Sequence, residues 1–180
     1  IQLSHYKVEH FDDLDSPLKP TKGWRAPLQG DIAGPGGDVY YASAEASVWW
    51  FHPIINEGVI LKLEGNAGHQ EPLTSDDVPI QDRFFKGADT FRGFARSGIG
   101  PRMVNGANGN VDAIGGQTYA LGTVEVTFPV GLPEEWGIEG SVFSDFGTLF
   151  NAPESTIAAG AAGCPGTAEC TVFDSIDFRA

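Results

Sequence analysis

The feature that most limits what this chain can fold into is a two-residue rhythm of apolar and polar side chains, repeated in separate stretches. A β-strand points successive side chains to opposite faces, so such a rhythm marks a strand with one apolar and one polar face. From Thr118 to Phe128, Thr123, Glu125 and Thr127 share one face, and Ala120, Val124, Val126 and Phe128 share the other. From Gly137 to Leu149, Glu139, Ser141 and Asp145 oppose Ile138, Val142 and Phe146. From Val59 to Ala67, Lys62, Glu64 and Asn66 oppose Val59, Leu61 and Leu63. From Val39 to Trp50, Ser43, Glu45 and Ser47 oppose Ala42, Ala44, Ala46, Val48 and Trp50. A weaker version runs from Trp24 to Ile32, with Arg25, Gln29 and Asp31 against Trp24, Leu28 and Ile32. Residues 2–14 and 171–180 also read as strands. Seven strands of about 10 residues are expected, enough for an all-β domain.

The two faces differ in an informative way. The polar face is sparse and mixed in sign: Arg25, Asp31, Glu45, Lys62, Glu64, Glu125, Glu139 and Asp145. The apolar face carries aromatics toward strand ends, at Trp24, Trp50, Phe128, Trp136 and Phe150. Only 19% of the chain is charged, against roughly 25% in an ordinary soluble domain. An apolar outside, a polar inside and aromatic rims describe an antiparallel transmembrane β-barrel. Alternation alone leaves open a secreted soluble β-sandwich that binds glycans through its Trp and Tyr residues. No stretch of 18 apolar residues exists to form a membrane-spanning helix. With 11 Lys and Arg against 24 Asp and Glu, the net charge is −13, which excludes a basic nucleic-acid binder. A hydrophobic fraction of 41% excludes an acidic disordered tail.

The connections alternate between short and long. Residues 16–23, 34–38, 52–58 and 131–135 read as short turns rich in Pro and Gly. Residues 70–115 and 151–170 are long, and a connection of the first length is uncommon unless it is functional. Cys164 and Cys170 lie in a Gly- and Pro-flanked run and read as a small disulfide loop in an oxidising compartment. The rival reading, half of a zinc site, lacks further ligands nearby. His5, His10, His52 and His69 are scattered and read as rim or turn residues, so no metal is expected. Asp12, Asp13, Asp15, Asp76 and Asp77 read as solvated acidic surface. No nucleophile elbow, phosphate loop or dinucleotide fingerprint is present, and neither an enzyme nor a cofactor is expected. The chain starts at Ile1 with neither Met nor a signal sequence and stops at Ala180 within an alternating pattern, so both ends read as cuts.

Inside the first long connection lies Arg83-Phe84-Phe85-Lys86-Gly87-Ala88-Asp89-Thr90-Phe91-Arg92-Gly93-Phe94, followed by Ile99-Gly100-Pro101-Arg102. Phe91-Arg92-Gly93-Phe94 resembles the loop motif of the outer-membrane assembly and two-partner-secretion transporter superfamily. Gly115-Gly116-Gln117 opening a strand, Glu125-Val126-Thr127-Phe128-Pro129 within it, and Val142 to Phe150 are similar to the BamA family of assembly factors in particular. The resemblance runs best from about Pro20 to Phe150; Phe91 stands where Val is commoner, and the Asn105–Ala113 insert is short and lacks cysteines.

That resemblance implies a sixteen-stranded barrel of the bacterial outer membrane, preceded by periplasmic POTRA domains. Residues 1–180 would then be a partial barrel, a curved sheet of about strands eight to fourteen, without the POTRA domains and terminal strands. The connection over about 70–115 would be loop 6, directed into the lumen. The resemblance also implies that Arg92, tipped by a turn at Gly93, pairs with inward Glu125 and Asp145 and locks the loop to the wall. Phe91 and Phe94 would pack against lumenal apolar residues such as Phe143. The implied function is that of an insertase that folds and inserts β-barrel proteins. Its partners would be outer-membrane lipid, unfolded client barrels and assembly lipoproteins docked on the POTRA domains, with no nucleic acid. A TamA-like or two-partner-secretion transporter is the alternative within the superfamily.

Overall fold

The computed structural model describes residues 4–34, 39–55, 58–74, 77–104, 111–132, 136–152 and 171–173. Six long strands form one sheet: β1 (Ser4–Asp12), β2 (Gly23–Ala33), β3 (Tyr41–Ile55), β4 (Val59–Pro72), β7 (Thr118–Pro129) and β8 (Glu139–Phe150). Their order is β1-β2-β3-β4-β7-β8 and every pairing is antiparallel, so each long strand lies beside the next long strand of the chain in an up-and-down meander. Three short strands, β5 (Arg102–Val104), β6 (Val111–Ala113) and β9 (Thr171–Phe173), form a separate sheet in the order β6-β5-β9.

The apolar face of the long sheet is the exposed one. Val142 is 66% exposed and Val124 38%, and Trp24, Leu28, Ile32, Val48, Trp50 and Leu63 are exposed with them. Along β3 the even-numbered Ala44, Ala46, Val48 and Trp50 are exposed, while Glu45, Ser47 and Trp49 are half-buried. A soluble sandwich would bury this face under a second sheet about 10 Å away. Among the described residues no second sheet packs there, which removes the sandwich reading. The buried apolar cluster instead lies on the polar side, where the loop meets the wall: Phe84, Phe91, Ile99, Tyr119, Leu121 and Leu149, with Phe94 against it. Among the described residues no helix is long and apolar enough to cross a membrane.

Several boundaries differ from expectation. Residues 52–55, expected within a turn, continue β3, with Pro53 beside Ile60 and a register shift before Ile55. Proline lacks the ladder donor and is tolerated at such an irregularity. The strand expected to end at Ala67 runs on to Pro72, so the long connection spans residues 73–117. Its small polar residues, Gly68, His69 and Gln70, have the composition of a loop but pair with Glu45, Ala44 and Ser43 of β3. Among the described residues the sheet has six long strands, where seven are expected for the chain. Of residues 171–180, only Thr171–Phe173 are described; they pair with β5 rather than with β8. Cys164 and Cys170 lie outside the described residues.

Candidate functional site

The register of β7 on β8 builds the receiving surface. Thr123 stands opposite Asp145 and Glu125 opposite Phe143, all four on the polar face. Arg92 sits over this patch. Its Nε and Nη2 donate to Asp145 Oδ2 and Oδ1, each at 2.8 Å, and its backbone N–H donates to Oδ2 at 3.1 Å. Nη1 reaches Glu125 Oε2 at 3.4 Å. The guanidinium carbon lies 3.4 Å from the centre of the Phe143 ring. Thr123 Oγ1 donates to Asp145 Oδ1 at 2.8 Å, so the carboxylate is held in position from its own wall. A planar guanidinium matches this set and an ammonium does not: two parallel donors for one carboxylate, a third for the neighbour, and a flat face for the ring. Phe143 therefore stacks on Arg92.

Local loop structure delivers Arg92 to this point. Thr90 and Phe91 donate their N–H groups to the Gly87 carbonyl at 2.8 and 2.6 Å, making a tight turn. Ala88 and Gly98 both donate to the Ala95 carbonyl, at 3.2 and 2.8 Å, folding the segment back on itself. Phe91 is 2% exposed in the apolar cluster and meets Phe94 edge to face at 4.7 Å. Gly93 turns the chain away at φ +86, a conformation that L side chains seldom adopt. The motif thus alternates an apolar anchor, a polar fork and a turn.

The base of the loop is closed separately. Phe84 and Gly116 exchange both backbone hydrogen bonds at 3.0 Å. The buried Arg83 donates from Nε to the Val78 carbonyl at 2.9 Å and from Nη1 to the Ile114 carbonyl at 3.2 Å. Burial pulls the Arg83 pKa below its ordinary value, with Asp77 opposing. Between loop and wall lies a polar cavity of about 390 Å³, lined in part by Glu45, Lys62, Lys86, Arg92, Glu125 and Asp145. Sequence reasoning names Arg92, Glu125 and Asp145 of this site but misses Arg83, Lys86, Thr123, and the linkage of Glu45 to Tyr119. The strand members among these share the polar parity; what the sequence lacks is the register that brings them together. Among the described residues no group of three or more His, Cys, Asp or Glu is placed to hold a metal.

A single antiparallel sheet with its apolar face outward, and a long loop tied to its polar face by a charge-assisted fork, is a segment of a transmembrane β-barrel. Comparison with known proteins names the family. The Omp85 superfamily domain matches residues 9–165. The chain belongs to the Omp85 superfamily, whose members are outer-membrane proteins of Gram-negative bacteria. It is similar to the outer membrane protein assembly factor BamA of Neorickettsia risticii, 32% identical over 146 residues, which is 81% of this chain and 19% of that protein. BamA of Neisseria meningitidis serogroup B is 28% identical over 140 residues, 76% of this chain and 17% of that protein. The crystal structure of BamA from Haemophilus ducreyi lacking POTRA domains 1–3 superposes with a TM-score of 0.75 at 21% identity, covering 90% of this chain and 32% of that one. The chain thus spans about one fifth of the curated relatives it matches, and it has the fold of a partial barrel.

Proposed function

We propose that this chain is the loop-bearing wall of a BamA-type insertase, whose complete form folds and inserts β-barrel proteins into the bacterial outer membrane. In an up-and-down barrel the sixth outer loop joins the eleventh strand to the twelfth. With residues 73–117 as that loop, β4 and β7 take those places, β1 is the eighth strand and β8 the thirteenth. POTRA domains, the remaining strands and assembly lipoproteins would complete the machine, and outer-membrane lipid and unfolded client barrels would be its partners. The work is conformational: clients fold with no covalent step.

The observation that carries this reading is the fork of Arg92 on Asp145, set within the Phe91-Arg92-Gly93-Phe94 motif. It ties a long loop inside the wall and so fixes the shape of the lumen. That both named relatives are BamA proteins favours this reading over a TamA-like or two-partner-secretion transporter. The test is Arg92→Ala in the complete protein. Client assembly should fall and the loop should become more sensitive to protease. Normal assembly with an unchanged protease pattern would overturn the lock.

A further inference from the structure

The loop touches the wall at a second place that the arginine fork does not explain. Glu45 on β3 stands opposite Gly68 on β4, and Gly68 stands opposite Tyr119 on β7. The three residues form one row across three strands. Because the middle member has no side chain, the Tyr119 ring lies over it. A Cβ on Gly68 would stand 2.3 Å from Tyr119 Cε1. The ring therefore crosses β4, and its hydroxyl donates to Glu45 Oε2 at 2.6 Å. Phe84 of the loop meets the same ring edge to face at 4.8 Å. Lys86 of the loop places Nζ 3.9 Å from the Tyr119 ring centre and 5.5 Å from that of Phe84. The backbone of Lys86 is itself fixed, since Ile99 N–H donates to its carbonyl at 3.3 Å.

We infer that Lys86, received by the Tyr119 ring and the Glu45 carboxylate behind it, is a second positioning residue that seats the loop independently of Arg92. The chemistry suits the place. A cation over an aromatic face gains most where water is scarce, and burial lowers the Lys86 pKa while Glu45 opposes that shift. The hydrogen bond to Glu45 leaves the ring richer in electrons and fixes its plane. Beyond the closure at the base of the loop, the Arg92 fork on β7 and β8 and the Lys86 contact on the β3–β4–β7 row hold the loop against the wall at two separate places.

This inference rests on the reading of residues 73–117 as a loop seated inside the barrel, and the experiment separates the two. The complete protein in lipid vesicles, with folding checked by heat-modifiable gel mobility, is exposed to protease, and the rate of cleavage within the loop is measured. Lys86→Met keeps the aliphatic stem and removes the charge. It should raise the rate roughly five- to thirtyfold, the range of a partly desolvated cation–π contact. Lys86→Arg keeps the cation and should restore a rate close to wild type, which a purely space-filling role does not predict. If Arg92→Ala exposes the loop while Lys86→Met does not, or if Lys86→Arg is cleaved as fast as Lys86→Met, the second anchor is wrong. If neither Arg92→Ala nor Lys86→Met exposes the loop, both the second anchor and the seated-loop reading fail.

Discussion

At the scale of single residues, the fork is asymmetric, and that sets the size of its effect. The Asp145 side chain is 5% exposed and that of Arg92 39%. Removing the arginine strands a buried carboxylate whose remaining wall partner is Thr123, whereas removing the aspartate leaves a guanidinium that water can reach. Arg92→Ala should cost about 1–3 kcal/mol of loop docking, below the roughly 3–5 kcal/mol of a fully buried pair. Arg92→Lys should recover less than half, because one ammonium cannot repeat the fork. Hydrogen exchange of the Phe91 and Arg92 amides measures both. Two glycines of the loop should likewise respond differently to alanine. Gly93, at φ +86, has nothing within 4 Å of where a Cβ would stand, so Gly93→Ala carries backbone strain alone, about 1–2 kcal/mol. Gly100, at φ +104, would drive its Cβ to 2.6 Å from Leu149 Cδ2 in the packed cluster. Gly100→Ala should therefore lower the denaturation midpoint of the loop further than Gly93→Ala; equal effects would contradict the packing seen around Leu149.

At the scale of elements, the connection between β1 and β2 is organised by one carboxylate. Asp15 accepts from the Thr21 and Lys22 N–H groups at 2.9 and 3.1 Å and from the Thr21 hydroxyl at 2.5 Å. These donors, the Thr21 hydroxyl first, bring its pKa down from 3.8 to about 2. A lowered pKa means the charged form belongs to the ordered turn. Its contribution is whole above the ordinary value and fades as pH falls from 3.8 through about 2. The Asp15 carboxyl carbon should titrate by NMR with a midpoint near the lower value, and a midpoint at the ordinary one would show the turn to be open. Element boundaries also show what the chain's rhythm reveals and what it hides. The faces of β2, β3, β4, β7 and β8 are legible because membrane and lumen impose opposite demands on alternate residues. β5 and β6 are not, since three residues are too few to display a period. The segment at 171–173 reads as a strand from its alternation, but its partner β5 lies inside the long loop, where sequence adjacency gives no guide. For the same reason Arg92, Glu125 and Asp145 can be picked out by motif and parity, while the Glu45–Gly68–Tyr119 row emerges only from the register of three strands.

At the scale of the whole molecule, everything turns on which side of the sheet meets lipid. The apolar side of β4, β7 and β8 carries Leu63, Val124 and Val142 in the open, and the polar side carries the loop. Arginine at Val124 should destabilise the complete barrel in lipid by about 2–4 kcal/mol if that position lies near the bilayer midplane. Arginine at Ser47, on the opposite face, should be far better tolerated. The most direct measurement follows the strand itself: spin labels placed singly from Thr123 to Phe128 of β7 in the complete protein, in a cysteine-free background, with accessibility read to oxygen in the lipid and to a polar relaxant in water. The expected result is a period of two, with Val124, Val126 and Phe128 open to oxygen and Thr123, Glu125 and Thr127 shielded from it. Oxygen access at the odd-numbered positions, or shielding of Val124 and Val126 from lipid, would contradict the structure's assignment of inside and outside.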